Sequence, residues 1–140
     1  IVGDGAFMMT ATELATAVSQ NLGLVIGVFN DGELSQIAQA QQIPYNRKTC
    51  TVLPQTKLKG LAMATGAEYV RIENNNDIKA GLTQARALAN ENKAVILDIN
   101  IDYSKATAFT EGAVKTNLKR MPLPTKVRMV GRAMVRKVTG

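Results

Sequence analysis

The chain has 140 residues, 46 % of them hydrophobic, which is enough for one ordinary domain with an aliphatic core. It contains no histidine, so Ser-His-Asp and Cys-His catalysis and histidine-ligated metal sites are excluded. The formal net charge of +6 is unevenly placed: residues 1–103 carry eight Lys and Arg against ten Asp and Glu, whereas residues 104–140 carry nine against one. The single cysteine, Cys50, excludes an internal disulfide and favours a reducing, cytoplasmic location.

The first predicted elements are a strand end, a helix and a buried strand. Ile1-Val2-Gly3 is typical of the last residues of a strand, so we expect the chain to be a piece of a longer protein whose first domain is incomplete at its N-terminus. Thr10-Ala11-Thr12-Glu13 has the form of a capping box and predicts a helix after it. The continuous apolar run 24–29 predicts a strand buried on both faces, ending at the turn Asn30-Asp31-Gly32.

Helices and strands then alternate along the chain. In order, the patterns predict a helix over 33–42 broken at 43–46, a polar loop over 44–55, a helix over 57–65, a strand over 69–72, a helix from 76 and a strand over 94–101. This alternation predicts an α/β fold, an open parallel sheet with helices on both faces. We assign residues 1–103 to this domain. Residues 104–140 form a basic tail, helical from about 125 to 138, that packs on the parent protein or a neighbouring subunit.

Two carboxylates carry the predicted chemistry. Asp4 and Asp31 lie 27 positions apart, about one helix plus one strand, so both should follow neighbouring strands at the same edge of the sheet. Glycines beside each acid allow a close approach of the backbone to a phosphate, and a helix start follows each turn. Because carboxylates repel phosphate, a hard cation such as Mg²⁺ must lie between them. The residues therefore predict a site for a metal ion and a diphosphate.

The same residues resemble a known family signature. The segments that carry the resemblance are Gly3-Asp4-Gly5-Ala6-Phe7-Met8-Met9-Thr10, then Glu13-Leu14-Ala15-Thr16-Ala17-Val18, then Asn30-Asp31. Together they resemble the thiamine-diphosphate signature, which runs from Gly-Asp-Gly through a helix and a strand to Asn-Asn. The version here is most similar to the acetolactate synthase and pyruvate oxidase group. The resemblance covers residues 1 to about 102 and fades in the tail.

The resemblance implies a role for each residue of the two turns. Asp4 and Asp31 would be the side-chain ligands of Mg²⁺, and the backbone carbonyl of Glu33 would be the third protein ligand. The turn Gly3-Asp4-Gly5, the amide of Ala6 and nearby Gly32 would meet the diphosphate. One departure is Asp31, where the family has its second Asn, so the site gains one negative charge. Asp98 and Asp102, in and after the last strand, are interpreted as structural.

The resemblance also implies an activity for a larger assembly. It implies action on a 2-oxo acid or related small carbonyl compound by decarboxylation, carboligation or C–C cleavage. The activating Glu would come from a pyrimidine-binding domain of the same or a neighbouring subunit, so we assign no catalytic residue here and expect this segment alone to be inactive. A homodimer or homotetramer is expected, without nucleic acid or membrane as a partner.

Two alternatives remain open at the level of the sequence. One is a non-catalytic nucleotide- or phosphate-binding module of flavodoxin-like form, although Met8 stands where the third glycine of a dinucleotide fingerprint would fall. The other is a basic structural or interaction protein, which depends only on the charge of the tail.

Overall fold

The structure is a computed structural model that describes residues 1–45, 47–105, 112, 115, 116 and 118–139. The strands in this part of the chain are β1 (Val2–Gly3), β2 (Leu24–Asn30), β3 (Glu68–Ile72) and β4 (Ala94–Asn100). The helices are α1 (Asp4–Met8), α2 (Glu13–Ser19), α3 (Ser35–Tyr45), α4 (Leu58–Thr65), α5 (Ile78–Asn90) and a C-terminal helix (Leu123–Thr139). A 3₁₀ turn, Asn75–Asp77, leads into α5.

Internal contacts divide the chain into two compact units. The first consists of Ile1–Gly32 and Pro54–Ile101, and the second of Glu33–Leu53 and Asp102–Gly140. The first unit holds a fully parallel sheet with the strand order β1-β2-β4-β3. Because the crossover connections of a parallel sheet place helices over its faces, the predicted α/β fold with an open parallel sheet is confirmed.

The core of the first unit lies on both faces of this sheet, as the alternation of β4 shows. Ala94 and Ile96 point to one face, where they pack with buried side chains of α1, α2 and α4. Val95 and Leu97 point to the other face, where they pack with α5 through Ala85. A strand covered on both sides needs apolar residues at successive positions, which explains the continuous run that predicted β4.

The predicted capping box at Thr10 is wrong. The segment after β1 is already helical from Asp4, so Thr10 lies in the turn between α1 and α2 instead of preceding the first helix. Its backbone carbonyl accepts a hydrogen bond from the Glu13 amide at 3.0 Å. The Glu13 carboxylate accepts from the Thr16 hydroxyl instead of reaching back to the predicted cap.

Two further sequence predictions need correction. β2 is not buried on both faces along its length, since Val25 is 39 % exposed. The reason is that α5, which covers that face, contacts β4 and β3 more than β2.

The predicted helix break over 43–46 is also misplaced, because α3 continues to Tyr45. Pro44 removes one internal hydrogen bond close to the C-terminal end, and the helix ends one residue after it. Asn46 lies outside the described residues.

In the second unit, backbone hydrogen bonds connect the segment before α3 to the loop that contains Thr51 and Val52. Glu33 forms an isolated antiparallel bridge with Val52, and the Leu34 amide donates to the Thr51 carbonyl at 2.8 Å. The C-terminal helix contacts α3 and leaves several apolar side chains exposed. No helix in the described part of the chain combines the length and the apolar character that a membrane span requires.

Candidate functional site

The two acid-bearing turns meet at one edge of the sheet. β1 and β2 are direct parallel neighbours, with Gly3 in register with Phe29. Asp4 follows β1 immediately, and Asp31 follows the last residue of β2. Parallel strands end at the same edge, so both acids stand at the carboxyl edge, where open α/β sheets bind their ligands.

A hydrogen bond joins the two turns directly. The Gly32 amide donates to Oδ2 of Asp4 at 3.0 Å, and the Gly5 amide donates to Oδ1 at 2.8 Å. The Asp4 side chain is thus fixed by one amide from its own turn and one from the turn after β2. Asp4 is also 7 % exposed, so a carboxylate with an ordered set of donors is held in a largely buried place.

The backbone at Gly32 explains why this position is a glycine. Its φ of +69° lies in the left-handed region, which costs other residues roughly 1–2 kcal/mol. A Cβ built there would meet nothing within 4 Å, so the requirement comes from the backbone conformation and not from crowding. In this conformation the Gly32 amide reaches the Asp4 carboxylate.

The donor set of this edge fits a hard divalent cation. An ionised carboxylate offers about four lone-pair positions, and Asp4 uses two of them for backbone amides. No group of three or more His, Cys, Asp or Glu side chains converges on one point within the described residues. A cation here would therefore complete its coordination with backbone, water or phosphate oxygens, as Mg²⁺ commonly does.

The other predicted residues of the first unit lie around Asp4. Gly3 is the last residue of β1 and has an extended backbone, with φ of −76°. Gly5 and Ala6 lie in the first turn of α1, whose amides have no backbone acceptor within the helix, and the Gly5 amide donates to the Asp4 side chain instead. The structure thus places the predicted diphosphate-binding amides next to the predicted metal ligand.

Glu33 belongs to the second unit, and its side chain is already engaged there. Its carboxylate accepts hydrogen bonds from Lys48 Nζ at 2.7 Å and from the Thr51 hydroxyl at 2.8 Å. The bond from Lys48 is the main cause that lowers the pKa of Glu33, and the bond from Thr51 adds to it. The assignment of the Glu33 carbonyl as a metal ligand stays a prediction.

The structure also shows a buried carboxylate near this edge whose partners the sequence did not indicate. Asp98 on β4 is 3 % exposed and accepts hydrogen bonds from Tyr69 Oη at 2.7 Å and from Asn30 Nδ2 at 3.1 Å. Arg71 Nη1 lies 2.6 Å from its Oδ1. The only signal in the sequence was a single acid within an otherwise apolar strand, which does not reveal its partners.

The two side chains from β3 that contact the Asp98 carboxylate, Tyr69 and Arg71, both have raised pKa values. Burial and the hydrogen bond to Asp98 raise the pKa of Tyr69 to about 12. The pKa of Arg71 is raised above its ordinary value, mainly by its hydrogen bond to Glu73 and further by Asp98. Tyr69 therefore remains a neutral donor and Arg71 a cation at any physiological pH.

The fold and the edge geometry define a class of α/β domains that bind a cofactor beyond the carboxyl ends of parallel strands. Within that class, residues 1–99 match the family model described as "Thiamine pyrophosphate enzyme, C-terminal TPP binding domain". The chain belongs to this family of thiamine pyrophosphate (thiamine diphosphate) binding domains. The predicted resemblance and the predicted thiamine diphosphate cofactor are thereby confirmed.

The chain is also similar in sequence to individual acetolactate synthases. A "Probable acetolactate synthase large subunit" of Methanococcus aeolicus is 34 % identical over 121 residues, covering 84 % of this chain and 20 % of that protein. The acetolactate synthase of Bacillus subtilis is 32 % identical over 104 residues, covering 74 % of this chain and 18 % of that enzyme. The chain spans about a fifth of the length of these curated relatives. Neither match favours the flavodoxin-like alternative.

A solved structure shares the fold. The crystal structure of benzoylformate decarboxylase from Polynucleobacter necessarius superposes with a TM-score of 0.59 and is 24 % identical. The superposition covers 71 % of this chain and 19 % of that one. At this level of identity the match supports the architecture alone.

Proposed function

We propose that Asp4 and Asp31 hold one Mg²⁺ ion at the carboxyl edge of the sheet, and that this ion binds the diphosphate of thiamine diphosphate. The observation that supports this most strongly is the hydrogen bond from the Gly32 amide to Asp4, which draws the turn carrying Asp31 onto the turn carrying Asp4. Two acids at one edge repel each other and repel a diphosphate. A divalent cation between them offsets both repulsions.

The remaining ligands in this proposal are backbone groups. The carbonyl of Glu33, two residues after Asp31, serves as the third protein ligand. The amides around Gly5, Ala6 and Gly32, together with the backbone at Gly3, contact the diphosphate oxygens. The Gly5 and Gly32 amides donate to the Asp4 carboxylate, and this orientation of two backbone donors toward an anion supports the proposal.

We further propose that the complete protein is a thiamine-diphosphate enzyme resembling acetolactate synthase. When bound, the cofactor supplies a nucleophilic carbon and an electron sink for decarboxylation, carboligation or C–C cleavage of a 2-oxo acid or related carbonyl compound. This chain supplies the diphosphate half of the cofactor site. A pyrimidine-binding domain of the same or a neighbouring subunit supplies the activating Glu, in a homodimer or homotetramer.

Two broader assignments accompany this proposal. We place residues 1–103 in the cofactor-binding domain and residues 104–140 in a basic tail that packs on the parent protein or a neighbouring subunit. The match to the family over residues 1–99 supports this boundary. We also propose a cytoplasmic location, which the exposed, unpaired thiol of Cys50 supports, because free thiols persist in reducing compartments.

A calorimetric titration of thiamine diphosphate tests the proposed site. In the full-length protein, binding should require Mg²⁺, and Asp4→Ala should weaken it by at least about 10–100-fold, the loss expected even for groups that only support a metal ligand. Asp31→Asn keeps an oxygen ligand but removes one charge, so it should weaken Mg²⁺ binding less than Asp4→Ala does.

The matched control is Glu68→Ala, which removes one negative charge at the first residue of β3 and hence at the opposite, amino edge of the sheet. It should bind cofactor and Mg²⁺ as the wild type does. Equal cofactor affinity of Asp4→Ala and the wild type, or cofactor binding that needs no divalent ion, would contradict the proposal.

A further inference from the structure

Next to the proposed metal site lies a polar cluster around one buried carboxylate, and we define this cluster as Asn30, Tyr69, Arg71 and Asp98. Its centre is the Asp98 carboxylate on β4, which is almost completely buried. One oxygen, Oδ2, accepts from Tyr69 on β3. The other, Oδ1, lies against both Arg71 on β3 and Asn30 on β2. The cluster therefore connects three neighbouring strands, from Asn30 at the carboxyl end of β2 through Asp98 on β4 to Tyr69 and Arg71 on β3.

Burying a carboxylate is costly unless charge and hydrogen bonds compensate it. Arg71 supplies the compensating charge and Tyr69 a second strong donor. The contact with Asn30 is of another kind, because a neutral amide adds little to the balance of charge. An ionised carboxylate only accepts hydrogen bonds, so this contact fixes which end of the Asn30 amide faces β4.

Asn30 is the residue through which the cluster reaches the metal site. It is the last residue of β2 and the direct neighbour of Asp31. Its side chain donates to Asp98, and its backbone carbonyl accepts from the Ile101 amide at 3.4 Å. Two residues later, the Gly32 amide donates to Asp4. The short turn that carries Asp31 is thus held at both of its ends.

We propose that Asp98 is a positioning residue for the metal site: by holding the Asn30 side chain, it sets the conformation of the turn that presents Asp31 to the cation. This proposal rests on the proposed function. It assigns Asp98 no contact with metal or cofactor. It also gives Asn30 a defined task, which is to anchor the turn to β4.

The test measures the affinity of Mn²⁺, used as a spectroscopic substitute for Mg²⁺, by electron paramagnetic resonance in the full-length protein with saturating thiamine diphosphate. Asn30→Ala and Asp98→Asn should each weaken Mn²⁺ binding by about 10-fold, the lower end of the range for groups that orient metal ligands. The double variant should be no weaker than the single ones by more than about twofold, because both changes break the same link.

Two controls separate positioning from other effects. Val95→Ala opens a cavity on the opposite face of the same strand, so it should lower the melting temperature and leave Mn²⁺ affinity unchanged. Asp98→Glu keeps the charge but displaces the carboxylate by one methylene, and it replaces Asp98→Asn in the cycle if the latter does not fold. Like Asp98→Asn, it should weaken Mn²⁺ binding.

The outcomes distinguish this inference from the proposed function. If Asp4→Ala binds Mn²⁺ as well as the wild type does, the proposed site itself is wrong. If Asp4→Ala loses Mn²⁺ but Asn30→Ala and the Asp98 variants bind as the wild type does, only the positioning role is overturned. Fully additive losses in the double variant would also overturn it, because Asp98 would then act through its charge and not through Asn30.

Discussion

Single residues set the geometry of the carboxyl edge of the sheet. Asp4 is held by two amides, one from each turn, and Gly32 supplies the left-handed backbone that brings the second amide there. Asp31 stands where the family signature has Asn, so the edge carries one more negative charge. That charge should strengthen the attraction for a cation and slightly weaken the attraction for a free diphosphate.

Tyr69 gives the stability of the protein a measurable dependence on pH in the alkaline range. Its pKa is raised from 10.0 to about 12 by burial and by Asp98, so the neutral form is favoured in the folded state. The associated stability is fully present below pH 10 and is lost as the pH rises through about 12. Thermal unfolding of the wild type should therefore show a steeper loss of stability over this interval than that of Tyr69→Phe.

The same variant has a second, pH-independent effect. At neutral pH, Tyr69→Phe removes one hydrogen bond to an ionised group and should cost about 1–3 kcal/mol of unfolding free energy. Parallel stability curves of the two proteins between pH 10 and pH 12 would show that the Tyr69 hydroxyl does not titrate as expected.

The positions of Asp4 and Asp31 were predictable from local sequence, but the cluster around Asp98 was not. The first pair could be located because each acid follows a strand pattern and is bordered by glycine. The partners of Asp98 lie 68 positions away in the case of Asn30 and 29 in the case of Tyr69. Only the order of strands in the sheet brings them together, and no local pattern encodes that order.

At the scale of elements, strands and helices were predicted correctly where their apolar pattern was strong. The start of a helix was predicted wrongly where the prediction depended on a short capping motif. β4 and α5 have continuous or periodic apolar patterns and were located to within a few residues. Thr10 matched a capping motif, but Thr12 holds the N-cap position of α2, and the Thr10 hydroxyl donates to the Phe7 carbonyl of α1. The local motif did not reveal that a turn between two short helices lies here.

The close approach of α5 to the start of β2 leaves no room for a side chain at Gly23. A Cβ at Gly23, just before β2, would lie 2.1 Å from the carbonyl oxygen of Ala89 in the last turn of α5. Because that atom belongs to the backbone, it cannot move aside without shifting the helix. Gly23→Ala should therefore lower the free energy of unfolding by about 1–3 kcal/mol, as overpacking typically does, in urea denaturation.

Gly60→Ala is the matched control for this substitution. Gly60 lies within α4, and an added Cβ would meet only the Lys57 side chain, at an ordinary 3.8 Å. Replacing glycine by alanine within a helix gains up to about 1 kcal/mol, so this variant should be stabilised. A stable Gly23→Ala would mean that α5 and β2 do not approach each other as described.

At the scale of the whole molecule, charge and family follow the same division of the chain. The match to the thiamine pyrophosphate-binding family covers residues 1–99, where acids slightly outnumber bases. The excess of positive charge lies almost entirely in residues 104–140, outside the match. The cofactor chemistry therefore belongs to the part of the chain that holds the parallel sheet, and the charge of the tail is a separate property.

The most direct test of the proposed site is the position of the cation itself. In crystals of the full-length protein grown with thiamine diphosphate and Mn²⁺, anomalous scattering at the manganese edge locates the ion without reference to activity. We expect one ion coordinated by carboxylate oxygens of both Asp4 and Asp31 and by oxygens of the diphosphate. Bound cofactor whose diphosphate has no cation in contact with these two side chains would contradict the account.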